Sequence, residues 1–257
     1  MLNMHKAKQV QIALVIGSAP DALMAKDWNL SAFNHRVAIN NAWQITPDWG
    51  YLVYPEDLLP ERLPPTPLKA HQKLIDAAEF VPQQNSLGGF VYAGGTMAFT
   101  TAYWTLSALK PDLIAFLGCD MVYAATSGES NHFYGHGTSD PLRADITLQS
   151  LEAKSVRFMA IANALNCAVV NLSELAESRL LYPRAKLEDL SKPDICKTLL
   201  EQQNSRLNAS RIACALSAEK ELAYMVPSGR YWEHLEGLDE SKLSQIDDMW
   251  LQALQAR

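Results

Sequence analysis

Three continuous apolar runs set the reading of this chain. From Gln11 to Gly17 five apolar residues lead straight into a Gly-Ser-Ala-Pro turn, and Leu113 to Leu117 does the same into Gly118-Cys119-Asp120. Ala168 to Val170 is a third, shorter run. Unbroken apolar character over four to eight residues, without alternation, marks strands covered on both faces, as in a parallel sheet. Two shorter candidates lie between the first and second runs. Arg36 to Ile39 ends at Asn40-Asn41, and Trp49 to Tyr54 ends at Pro55-Glu56-Asp57. Helical character is expected over Leu68 to Ala78, over Met97 to Leu109, and from Pro141 to Asn166, where Leu148, Leu151, Phe158, Met159, Ala162 and Leu165 recur at helical spacing. Pro60, Pro64, Pro65 and Pro67 make a stiff connection read as surface. Strands alternating with helices imply an α/β fold with right-handed crossovers. The expected architecture is a modified Rossmann-like, doubly wound, mostly parallel sheet over residues 1–187. Beyond Leu187 charged, helix-favouring residues dominate Glu188 to Tyr224, and Ser241 to Ala256 is amphipathic, so residues 188–257 read as a C-terminal helical appendage.

Composition narrows the classes of function. The 257 residues are 48% hydrophobic and 19% charged, enough for one substantial core. Lys and Arg number 22 against 28 Asp and Glu, a net charge of -6, and no basic run offers a phosphate-neutralising face, so no nucleic-acid partner is expected. The four cysteines, Cys119, Cys167, Cys196 and Cys214, lack CxxC spacing and read as reduced thiols of a cytoplasmic protein. Residues Met1 to Gln9 lead into an apolar run too short for a signal sequence or a spanning helix, so any membrane contact is peripheral, at the inner membrane.

In an open parallel sheet, ligands bind outside the carboxyl ends of the strands, where backbone amides and helix N-termini converge. Four loops qualify. Gly17-Ser18-Ala19-Pro20 fits a phosphate or sugar contact through the Ser18 hydroxyl, or a plain turn capped by Ser18 or Asp21; it is neither GxGxxG nor a P-loop. Asn40-Asn41 suits a base edge or ribose, or simple turn chemistry. Gly94-Gly95-Thr96 opens a helix and reads as an anion cradle or as close helix–sheet packing. The richest loop begins at Gly118 and Asp120 and brings Tyr123, His132, Tyr134 and His136 within 16 residues. A histidine near neutrality can take a proton from a hydroxyl, and tyrosine hydroxyls can stabilise a leaving phosphate without a metal. Asp120, His132 and His136 match no common metal spacing, so no metal is expected.

The order and content of these motifs resemble the bacterial sialyltransferases of glycosyltransferase family 42 and the related motility-accessory-factor-type glycosyltransferases. The likeness rests on residues 15–20, 39–41, 94–96 and 116–123, with His132 and the run from Leu151 to Pro183, and spans residues 10–185 as short motifs in order. It implies a modified Rossmann domain, a donor that is a CMP-activated nonulosonic acid, a glycan or protein acceptor, no metal and no other cofactor. It places the family's Gly-Asn-Gly-Pro loop on Gly17 to Pro20, with Ser18 where Asn is usual, its strand-end Asn on Asn40, and its Gly turn on Gly94-Gly95. The tyrosine pair falls on Tyr123 and Tyr134, and the general base on His132 or His136, closer to the Gly-x-Asp strand than in the sialyltransferases. The same superfamily resemblance includes archaeal pterin diphosphokinases, which implies Mg-ATP chemistry on Asp21 and Asp120 as the alternative. A non-catalytic nucleotide or glycan binder is the third reading, and the helical appendage is the expected route to a homo-oligomer.

Overall fold

Ile12–Ile16 form the central strand, β1, with every residue buried. In the computed structural model, which describes residues 10–122, 132–134 and 145–255, Ala13 and Val15 pack into the core on one face of the sheet while Ile12, Leu14 and Ile16 pack on the other. Strands His35–Ile39 (β2), Tyr51–Val53 (β3), Lys73–Ile75 (β4), Leu113–Leu117 (β5) and Ala168–Asn171 (β6) complete a six-stranded, all-parallel sheet in the order β4-β3-β2-β1-β5-β6. Val15 lies beside Val37 on one side and Phe116 on the other. The strand order reverses at β1, so the connections leaving β1 and β5 cover opposite faces of the sheet, the place where such folds form a ligand crevice.

One face is covered by α1 (Ala77–Asn85), the single turn α2 (Phe90–Ala93), α3 (Met97–Trp104) and α4 (Leu151–Ala164). Two expected helices differ. Leu68 to Asp76 is not helical: a turn at Ala70 and His71 leads into Lys73–Ile75, which pairing with β3 makes an edge strand, and the helix starts at Ala77, where the Asp76 carboxylate caps the Ala78 amide. The Pro141 to Asn166 helix begins at Leu151, where the Ser150 hydroxyl accepts from the Ala153 amide; residues 145–150 are not helical. The first two connections carry 3-10 segments, Pro20–Lys26 and Asn40–Gln44, rather than α-helices.

The expected C-terminal helices are present as α5 (Ile195–Arg206), α6 (Ala209–Leu222) and α7 (Glu240–Ala253). They share the core with the sheet. From α5, the Gln203 carboxamide accepts from the Val169 amide of β6 and donates to the Cys167 carbonyl. Trp250 of α7 is fully buried against the α4 layer. Two ion pairs fix α4 to this layer: Lys154 with Asp247 at 2.5 Å, and Arg157 with Glu219 at 2.8 Å. Among the described residues no helix is long and apolar enough to cross a membrane.

Candidate functional site

At the mouth of the crevice the β1 and β5 loops touch backbone to backbone. The Gly17 amide donates to Leu117 and the Ala19 amide to Gly118. A Cβ on Gly17 would lie 2.1 Å from the Gly118 carbonyl oxygen, and Gly118, at a φ of +68°, would collide with Ala22. These glycines let the two loops cross, which directs Ser18 outward.

Ser18 meets the loop after β5. Its carbonyl accepts from the Phe133 amide at 3.0 Å, and its hydroxyl lies 2.7 Å from His132 Nδ1. The His132 ring is stacked on Tyr134, with centroids 4.8 Å apart and planes within 4°. Ser18, His132 and Tyr134 form one wall of a cavity of about 330 Å³. Asn40 and Asn41 at the end of β2, and Pro55 and Asp57 beyond β3, line it as well, with Arg62 from the proline-rich connection. Asn40 adopts a left-handed φ of 51°, which asparagine tolerates better than most residues, and its Oδ1 is shielded from water without a hydrogen-bond partner among the described residues. Such an acceptor, on a residue that lines the cavity, is chemically suited to an incoming hydrogen-bond donor. Arg62, exposed at the rim, is braced through its carbonyl, which accepts from Trp43 Nε1 at 2.9 Å.

Burial lowers the pKa of His132, and the Ser18 backbone carbonyl partly offsets this, so the neutral imidazole is favoured near pH 7. Beneath the cavity, burial raises the pKa of Asp21; the Ser173 hydroxyl opposes this shift, the nearby Asp120 carboxylate adds to it, and Arg184 counters it. Asp120 is almost wholly buried. Its Oδ1 accepts from Asn171 at 2.8 Å, with Arg184 at 4.0 Å, and its Oδ2 has no hydrogen-bond partner among the described residues. Asp120 therefore ties the end of β5 to the loop after β6 and is not a wall of the His132 cavity.

No protein-family model, curated protein or solved structure matches this chain. The site is read from its own geometry. Ser18, Asn40, Asn41, His132 and Tyr134 come together as one cavity. Ala19 and Pro20 continue into the 3-10 segment, and the Ala19 amide is taken by Gly118. Gly94-Gly95-Thr96 lies outside the cavity. The Gly95 amide donates to Thr147 Oγ1, a Cβ there would strike the Tyr231 hydroxyl, and Thr96 caps α3 at Phe99. That turn works as a packing junction. Tyr123 and His136 lie outside the described residues. Arg62 and Asp57 escaped sequence reasoning, because a proline-rich connection gives no sign that β3 turns it back towards the loops of β1 and β2.

Proposed function

We propose that the protein is a metal-independent, inverting glycosyltransferase that moves a nonulosonic acid from a CMP donor to a glycan or protein acceptor. The observation that carries this reading is the neutral His132 imidazole, held between Ser18 and Tyr134 in the same cavity as the unmatched Asn40 acceptor. His132 takes the proton of the acceptor hydroxyl as that oxygen attacks the anomeric carbon. The bond from that carbon to the phosphate oxygen breaks with its electron pair leaving on CMP, and the anomeric centre inverts. Arg62 at the rim offers positive charge to the departing phosphate, and Asn40 Oδ1 offers an acceptor to a base amino group or a ribose hydroxyl. Tyr134 keeps the imidazole plane fixed, which is the orientation a base needs.

Thermal denaturation with nucleotides tests it. CMP at a hundredfold excess over its Kd should raise Tm by about 5–10 °C, from roughly 2.7 kcal/mol of linkage in a chain of this size. Asn40→Gly, which keeps the left-handed backbone but removes the amide, should lose most of that shift. A response to ATP with Mg²⁺ and none to CMP would overturn the transferase reading and favour the diphosphokinase alternative built on Asp21 and Asp120, two carboxylates close enough to raise the Asp21 pKa.

A further inference from the structure

A second, larger cavity of about 590 Å³ opens beside α4 and α7, lined by Asp145, Gln149, Tyr231, Trp232, Leu235 and Glu240 among others. Its position follows from the topology. The segment before α4 and the Gly95 turn before α3 both lie at the carboxyl end of the parallel strands, because those helices run back against β5 and β6. Thr147 Oγ1 joins the two. Arg230, just before Tyr231, pairs with Glu56 at 3.0 Å, and Glu56 sits between Pro55 and Asp57, two walls of the His132 cavity. The two cavities therefore open on the same end of the sheet and are tied to each other through Arg230 and Glu56.

Trp232 is 54% exposed, and it is the exposed one among the chain's six tryptophans. Its indole is nonetheless held. Tyr231 packs edge-on against it, with centroids 5.3 Å apart at 77°, and the Tyr231 hydroxyl donates to Asp145 Oδ2 at 2.6 Å. Asp145 Oδ1 in turn accepts from the Thr147 amide and hydroxyl. A rigidly supported aromatic face left open to solvent, flanked by the Gln149 carboxamide and the Glu240 carboxylate, is the chemistry that recognises a pyranose. The C–H face of the sugar ring packs on the indole and its hydroxyls donate to amide and carboxylate oxygens.

We propose that this cavity is a saccharide subsite that holds the acceptor glycan, with Trp232 as its stacking platform. Its role as the acceptor end rests on the transferase reading; its capacity to hold a sugar does not. Saturation-transfer NMR with methyl glycosides of galactose, glucose, N-acetylglucosamine and N-acetylgalactosamine provides the test. At least one glycoside should receive saturation, strongest on its C–H face. Trp232→Ala should reduce that signal at least tenfold, Trp232→Phe should keep part of it, and Lys197→Ala, on the exposed face of α5 away from both cavities, should leave it unchanged. Because Trp232 is exposed, its variants should melt within a degree or two of the parent protein. The subsite is overturned if none of the glycosides binds, if Trp232→Ala leaves the signal intact, or if sedimentation shows self-association that Trp232→Ala abolishes, which would assign the face to a second copy of the chain. Glycoside binding without any CMP response would remove the transferase reading and leave the saccharide site standing.

Discussion

Arg157 and His132 are both largely withdrawn from water, yet their surroundings differ in kind. Arg157 uses four of its five N–H groups inside the protein: Glu219 accepts from Nε and Nη2, the Leu87 carbonyl accepts from Nη2, and the Tyr103 hydroxyl accepts from Nη1. Trp250 completes the set by donating to Glu219 at 2.7 Å. Burial works against that guanidinium, but Glu219 and Tyr103 hold its pKa above the ordinary value. A charge neutralised by Glu219 and held by four hydrogen bonds is committed to the fold even though Arg157 and Glu219 border a cavity of about 540 Å³, and its effect is to fix α4 to the C-terminal helices. His132 is neutral and lines the cavity at the strand ends, beside an asparagine acceptor with no hydrogen-bond partner among the described residues and an exposed arginine. Closed polar networks hold the fold together, and the polar groups that line the cavity at the strand ends are the ones placed for chemistry.

Removing one member from each region separates the two roles. His132→Ala should lower the transfer rate by about 10²–10⁴, the usual contribution of a positioned general base, while costing only about 1–2 kcal/mol of stability from the lost stacking and hydrogen bond. A rate within a few-fold of the parent would mean that another residue takes the proton. Glu219→Ala should do the reverse, costing about 3–5 kcal/mol in urea denaturation because it strands the Arg157 charge and the Trp250 N–H in the interior. The CMP-induced shift of the protein that still folds should be preserved. If Glu219→Ala is stable but fails to respond to CMP, the division between closed and open networks is broken.

The sequence reveals the centre of the sheet better than its edge or the far ends of the site. β1, β5 and β6 announce themselves because strands buried on both faces need unbroken apolar runs. β4 does not, since three residues that include an exposed lysine carry too little pattern, and only pairing with β3 makes them a strand. Ser18, Asn40 and His132 were legible because strand ends in a parallel sheet are where ligands bind. Gly94 to Thr96 carries the same glycine signature, but Thr147 takes up the Gly95 amide, a contact 52 residues away that no local pattern encodes. Trp232 and Arg62 reach the carboxyl end of the sheet through tertiary folding alone.

The finest distinction lies within the open site, between His132 itself and the serine that touches it. Burial favours the neutral imidazole, so in the pH range just below the usual histidine value of about 6.5 the unfolded chain binds a proton that the folded one resists. Stability is therefore lost as pH falls from about 6.5 towards the lowered pKa of His132, and the acid limb of kcat/KM should lie below 6.5. The Ser18 backbone carbonyl works in the opposite direction, supporting the protonated ring. Ser18→Ala keeps that carbonyl and removes only the hydroxyl at Nδ1, so it should leave the acid limb where it is and reduce the plateau rate by about two- to tenfold, the worth of one hydrogen bond that orients the ring. A serine that merely packs the loop would leave the plateau rate unchanged. An acid limb that moves in Ser18→Ala would mean that the hydroxyl, and not the carbonyl, sets the charge of the base.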